Sequence, residues 1–259
     1  MAPPTAQGQA GESGAPVYDS IGTVYARHRR PDPRLAAALH GALGGAASVV
    51  DVGAGTGSYE PRHAAVVAVE PSPVMAAQRP PGSGPVVRAV AEHLPFADAA
   101  FDAALAVFTV HHWSDVTAGL RELGRVARRV VVLTYDPPVH AGFWLYREYL
   151  PEAVPLASDG VLGPEAVAEV LGAGRIEVVP VPADCTDGFN WAYWRRPRSY
   201  LDPEVRACIS GLALLPPPLV ARRMERLRAD LDDGTWAARH AGLLDLDQVD
   251  GGLRLVVRD

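Results

Sequence analysis

The sequence contains no lysine: all 24 of its basic residues are arginine. That absence excludes Schiff-base chemistry on a lysine amine and a phosphate-binding loop closed by Gly-Lys-Ser/Thr. Cysteine is nearly absent as well, with only Cys185 and Cys208 among 259 residues. Two thiols build neither a disulfide framework nor a zinc site; they read as ordinary thiols in a reducing compartment, and no metal is expected. No stretch approaches the roughly 18 uninterrupted apolar residues of a membrane span, and the N-terminus lacks a basic-then-apolar leader. Positive charge is in deficit, with a net charge of −6, so no global field attracts nucleic acid. These absences predict a soluble, cytoplasmic monomer or homodimer without a nucleic-acid or membrane partner.

What is present is apolar sequence, 48% of the chain, enough for one sizeable core. Residues 1–16 are rich in Ala, Pro, Gly and Gln without periodicity and read as a disordered leader. A helix is expected over 18–28, and a second after Pro33, where Leu35, Leu39 and Leu43 recur at helical spacing before Gly44. Short apolar runs then alternate with helical segments. Strands are expected at 47–52, 66–69, 86–90, 101–108 and 129–134, with helices at 72–79 and 116–126. Such alternation implies βαβ units around a parallel sheet buried on both faces. Beyond Asp136 come a possible helix at Phe143–Tyr146, another at 164–171 and a sixth strand at 176–181. A seventh strand follows only at 253–257. The gap of about 70 residues exceeds an ordinary connection and reads as an inserted cap, giving a core over 17–182, a cap over 183–252 and a terminal strand at 253–259.

The strongest local signal is Val49-Val50-Asp51-Val52-Gly53-Ala54-Gly55-Thr56-Gly57. A buried strand ends in alternating glycines, which lets the turn tighten and the backbone approach a ligand. Alone, such a loop serves NAD, FAD or a sulfonium nucleotide. Glu70 ends the next strand, where a carboxylate accepts hydrogen bonds from a ribose diol.

The successive runs VVDVGAGTG, AVEPSPVMAAQ, AEHLPFADAAFD and FTVHHW resemble the ordered motifs of class I S-adenosylmethionine-dependent methyltransferases, in the branch that includes ubiquinone and menaquinone biosynthesis. The resemblance covers about residues 18–136. It implies a Rossmann-like, doubly wound seven-stranded α/β sheet, mostly parallel with the last strand antiparallel, carrying a helical cap before that strand. It also implies S-adenosylmethionine as cofactor. Asp51 and Gly53 would hold its amino-acid part, and Gly55 and Gly57 would let the loop pass beneath it. Glu70 would take the ribose, Pro71 and Met75 the adenine face, and Ala91, Glu92 and His93 the adenine edge. Phe108 would lie beside the methionine portion, with Tyr18, Tyr25 and Arg30 closing over its carboxylate. Two departures stand out. Only eight residues, with Pro61 among them, separate Gly57 from Val66, so the first crossover helix must be very short or replaced by a loop. Val90 occupies a position where many relatives carry an acidic residue.

Methyl transfer needs near-attack geometry, and a base only when the nucleophile must lose a proton. His111 and His112 follow the fourth strand at the ligand-binding edge, where either serves as base or merely orients the loop over Trp113. Asp136 follows the fifth strand as a third catalytic candidate, or as a cap for the turn at Pro137-Pro138. Phe143, Trp144, Tyr146, Phe189, Trp191, Tyr193 and Trp194 are candidates to line an apolar pocket for a planar substrate, with Trp144, Trp191, Tyr193 and Trp194 foremost, or else cap core. The arginine-only, Ala- and Pro-rich composition suits a GC-rich bacterial genome. Three functions follow from these residues: methyl transfer to O or C of a small-molecule, natural-product acceptor; a non-methylating cyclisation on the same fold; or a non-enzymatic cofactor-binding module.

Overall fold

A computed structural model describes residues 28–158 and 160–259. The leader expected over 1–16, nearly all of the helix expected over 18–28, and Tyr18 and Tyr25 lie outside the described residues.

Helix α1 (Pro33–Leu43) starts on Asp32, whose side chain accepts from the Arg34 N–H, with Pro33 in the first turn. Its leucines at i, i+4 and i+8 face the sheet, and it stops at Gly44 with φ of 63°. Strands β1 (Ser48–Val52) and β2 (Ala65–Val69) follow, then the one-turn α2 (Pro73–Ala76) and β3 (Val86–Val87). Next come β4 (Phe101–Val107), α3 (Val116–Val126) and β5 (Ala127–Tyr135). Short helices α4 (Pro137–Ala141) and α5 (Ala153–Ser158) precede α6 (Pro164–Leu171) and β6 (Arg175–Val178). Strand β7 (Val181–Pro182) opens a helical segment of α7 (Pro203–Ala207), α8 (Ser210–Ala213), α9 (Pro217–Asp232), α10 (Thr235–Arg239) and α11 (Ala241–Leu244). The chain closes with β8 (Gln248–Val249) and β9 (Leu253–Arg258).

The main sheet runs β3-β2-β1-β4-β5-β9-β6. Pairings from β3 through β5 are parallel, and β9 is antiparallel to both neighbours. This is the Rossmann-like sheet that the motifs imply. Alternation within the strands divides the core in two. Val49, Val131 and Leu133 face α1 and the cap, while Val50, Val130 and Val132 face α3 and α6.

Three local differences from expectation have physical causes. Strand β3 is two residues long rather than five, because the chain leaves the sheet there and residues 89–92 wall a cleft instead. The sixth strand stops at Val178, since Pro180 has no N–H to continue the ladder; Val181 and Pro182 pair with β8 in a separate ribbon. Between β1 and β2 there is no helix at all. A buried ion pair, Arg79 to Glu60 at 2.7 Å, ties that helix-free crossover to the turn after α2. The cap also draws on residues before 183: Trp144 packs edge-on to Tyr200 and Trp236.

Candidate active site

The glycine loop is built by clashes that only glycine avoids. Gly53 has φ of 70°, and a Cβ there would lie 1.9 Å from the Thr109 hydroxyl oxygen. The N–H groups of Gly53 and Ala54 both donate to the Val69 carbonyl, at 2.9 and 3.1 Å, drawing the loop across the end of β2. Gly55, with φ of 53°, meets only the Met75 methyl at 3.4 Å, so its missing side chain leaves space on the open side.

That open side is a cleft of about 980 Å³ at the C-terminal edge of β1, β2 and β4. Glu70 closes one end of it. Its two carboxylate oxygens accept from the backbone N–H groups of Gly55 at 2.7 Å and Ser72 at 2.8 Å. Glu70 thus fixes the loop and sets a carboxylate at the edge of the cleft. Asp51 lies beneath, and burial, reinforced by the nearby Glu60 and Glu70 carboxylates against the pull of Arg79, pushes its pKa well above the usual range. The apolar wall consists of Pro71, Met75, Ala89, Val90 and Ala91. Glu92 also lines the cleft, but its carboxylate is engaged by the Ser114 hydroxyl at 2.7 Å and the Asp115 N–H at 3.0 Å. Burial works to raise its pKa; those hydrogen bonds outweigh burial and hold it low.

Three sequence candidates stand elsewhere. His93 and Arg30 are exposed, and neither lines the cleft. Gly57 faces away from it: a Cβ there would crowd the Arg79 guanidinium at 2.9 Å, so this glycine makes room for the ion pair. It is Arg29, next to Arg30, that reaches the site. Its guanidinium donates to Asp187 at 2.6 Å and lies 5.6 Å from the centroid of the Phe108 ring. Asp187 also accepts from the Tyr59 hydroxyl at 2.8 Å. Nothing in the sequence links these residues, which stand up to 158 positions apart.

Phe108 occupies a strained position. Its φ is 54°, a region that costs a non-glycine residue on the order of 1–3 kcal/mol and is concentrated at functional sites. The strain sets its ring at the border of a second cleft of about 600 Å³, and Arg29 and Phe108 wall both clefts. Phe108 stacks on Tyr135 with centroids 5.4 Å apart, and Phe189 leans on it at 5.3 Å. His111, His140 and Tyr146 complete that side of the second cleft.

The two adjacent histidines are divided between the clefts: His112 lines the first and His111 the second. Their rings are 3.9 Å apart. Burial, then the neighbouring His112, His140 and Arg29, pulls the His111 pKa well below its usual value. Burial and Arg29 lower His112 to about 4. Both imidazoles are therefore neutral at pH 7. The Nδ1 atom of His111 is buried without a hydrogen-bond partner.

The remaining candidates belong to the packing. Asp136 accepts from Arg254 at 2.9 Å and lines neither cleft. Trp144 and Trp194 are buried, their indole N–H groups donating to backbone carbonyls of Trp194 and Val181, because a buried indole must place its donor. Trp191 packs on Phe143 at 4.3 Å, and Tyr193 lies under the Arg196 guanidinium at 4.9 Å. None of these four aromatics lines either cleft; Tyr146 and Phe189 take that place.

Comparison with known proteins matches this geometry. A crystal structure from Anabaena variabilis, assigned to antibiotic biosynthesis as a methyltransferase, superposes with a TM-score of 0.82 at 31% identity. The likeness covers 90% of this chain and 99% of that one. The chain belongs to the class I S-adenosylmethionine-dependent methyltransferases. The family described as "Methyltransferase domain" matches residues 50–133 of this methyltransferase. A demethylmenaquinone methyltransferase of Mycolicibacterium vanbaalenii is 37% identical over 158 residues, 59% of this chain and 65% of the relative. The chain thus matches under two thirds of that curated relative's length. The cyclase SpnF, 17% identical with a TM-score of 0.54, shares the fold alone.

The residues present fit the family's cofactor. Glu70 places a carboxylate, the group that accepts from a ribose diol, in the cleft lining, and the wall from Pro71 to Met75 and Ala91 offers apolar surface to an adenine. Asp51, destabilised as an anion by burial, gains a counter-charge when an ammonium group enters.

Proposed function

We propose that this protein transfers a methyl group from S-adenosylmethionine to an oxygen or carbon of a small-molecule acceptor held in the second cleft. The observation that carries the reading is the shared wall. Arg29 and Phe108 border both clefts, so ligands in the two would meet at the Phe108 ring. The cofactor, when bound, supplies an electrophilic methyl on a cationic sulfur. This chain's residues then do the rest. Phe108 and the glycine loop hold the two ligands in line, which is the larger part of catalysis by approximation. His112, held neutral by burial and Arg29, would line the cofactor's cleft without adding positive charge to repel a sulfonium. His111, neutral with an unpartnered ring nitrogen, takes the proton released by the acceptor. A base this weak suits an acceptor that is itself acidic, such as a phenol or enol. Asp136 supports the fold through Arg254 rather than the chemistry. The likeness to a methyltransferase assigned to antibiotic biosynthesis supports a secondary-metabolite acceptor, and the net charge of −6 favours one without a polyanionic partner.

The test is calorimetric titration with S-adenosylmethionine and S-adenosylhomocysteine, followed by assay of S-adenosylhomocysteine release with phenolic and enolic acceptors. Micromolar binding of both and acceptor-dependent release support the reading. Binding of neither, or binding with no transfer to any such acceptor, overturns it.

A further inference from the structure

The second cleft contains polar groups that find no partner among the described residues. His140 from α4 and Asn190 from the turn 190–193 meet there, with the imidazole Nε2 3.3 Å from the amide nitrogen. Both residues are buried, at 5% and 4% exposure, and His140 Nδ1 and Asn190 Oδ1 have no hydrogen-bond partner. A neutral imidazole carries one donor and one acceptor, and a carboxamide carries both kinds. If the amide nitrogen donates to Nε2, then Nδ1 bears the ring proton and the amide oxygen is left as an acceptor. If the amide is turned over, Nε2 donates, Nδ1 becomes the acceptor and the amide nitrogen is left as a donor. Either arrangement leaves at least one donor and one acceptor. Burial holds His140 at about 4, so the count stands at neutral pH.

The surroundings of the pair are aromatic. Tyr135 lies 4.5 Å and Tyr146 5.7 Å from the His140 ring, and Phe108 and Phe189 form the facing wall. The cation on that wall, Arg29, is matched by Asp187 at 2.6 Å. A planar ligand is favoured by the rings, and a charged one finds no unmatched counter-charge among the described lining residues. A buried donor and acceptor left unmade destabilise a fold, so a pair of this kind is specific for whatever completes it.

We infer that His140 and Asn190 are the specificity-determining residues for the methyl acceptor, selecting an uncharged planar molecule with a donor and an acceptor on one edge, such as a hydroxy-carboxamide or an enolised dicarbonyl. The inference rests on the reading that the second cleft holds the acceptor.

The test uses the full chain saturated with S-adenosylhomocysteine and two probes, 2-naphthol and 3-hydroxy-2-naphthamide, titrated by calorimetry. The amide-bearing probe should bind at least about tenfold tighter, the scale of two net hydrogen bonds. Asn190→Leu and, separately, His140→Phe should each bring the ratio near one. In both variants the affinity for S-adenosylhomocysteine should stay within about threefold, which also establishes that they fold. The His140→Phe ring retains its packing on Tyr135 and Tyr146. A ratio near one in the unsubstituted protein, a ratio unchanged by both substitutions, or binding of neither probe overturns the inference. Loss of S-adenosylhomocysteine binding by the unsubstituted protein is a different result: it removes the methyltransferase reading itself, and the inference with it.

Discussion

Replacing Gly53 by alanine tests the site at its tightest point. The added Cβ would stand 1.9 Å from Thr109 Oγ1, 2.7 Å from its Cβ and 2.9 Å from its Cγ2, and the backbone φ is 70°. Two costs combine. An L-residue in the left-handed region loses roughly 1–2 kcal/mol, and overpacking a buried contact costs roughly 1–3 kcal/mol. The sum, about 2–5 kcal/mol, corresponds to a fall in Tm of roughly 4–20 °C for a chain of this size. Relief by moving Thr109 has its own consequence. Its hydroxyl accepts from the Trp113 indole at 3.3 Å, and Trp113 fits against Gly119, where a Cβ would approach to 2.4 Å. Thr109 and Trp113 both line the cofactor cleft, so binding should weaken along with stability. Thermal melting and calorimetric titration with S-adenosylmethionine read both effects. Thr109→Gly removes all three clashing atoms. On that background Gly53→Ala should cost only the backbone share, about 1–2 kcal/mol. An equal loss in the two backgrounds would refute the steric argument.

Three further outcomes are expected. Glu70→Gln keeps the shape but sets an NH2 group against the Gly55 or Ser72 N–H, so cofactor affinity should fall by about 1.5–3 kcal/mol, or roughly 10–150-fold, by calorimetry; a change under twofold would move the ribose site elsewhere. His111→Asn should lower the methyl-transfer rate by about 10²–10⁴ with cofactor affinity unchanged; an unaltered rate would show that the acceptor needs no base from this residue. The pH dependence of stability has a definite sign. His112 and His140 titrate near 4 in the folded chain against an ordinary value near 6.5, so the unfolded chain takes up protons first as pH falls. Stability should be flat on their account above about pH 7 and decline between about 6.5 and 4, by on the order of 3 kcal/mol per residue. Melting temperatures across that range should show the decline, and His140→Gln should reduce it.

Much of the fold and half of the site were legible because the signals are local. The three glycines after β1 do adopt positive φ, and Glu70 does end β2 beside them, fifteen residues from Gly55 in sequence. Backbone sterics make such positions readable without any long-range contact. The same holds for α1, where Asp32, Pro33 and the leucine spacing mark the start and the buried face. The helix-free crossover followed from Pro61 and the short spacing. Its anchor, Arg79 on Glu60, did not, because nothing local pairs those two among many charged residues.

The sequence by itself determined the order of the strands' apolar runs, the glycine cradle and the residue types at the cofactor edge, all of which act over a turn or two of chain. Only the tertiary structure decided which side chains look into the clefts. His111 and His112 are neighbours with rings 3.9 Å apart, yet they line different cavities, since the two clefts approach each other at the turn after β4. Arg29, not Arg30, reaches the site because its partner Asp187 arrives from the far end of the chain. Trp144 and Trp194 are buried with their indole donors tied to backbone carbonyls, which left the second cleft to Phe189, Tyr146, His140 and Asn190. Burial of an aromatic ring gains the same free energy in core or cleft, so composition cannot distinguish the two; shape complementarity between distant segments does.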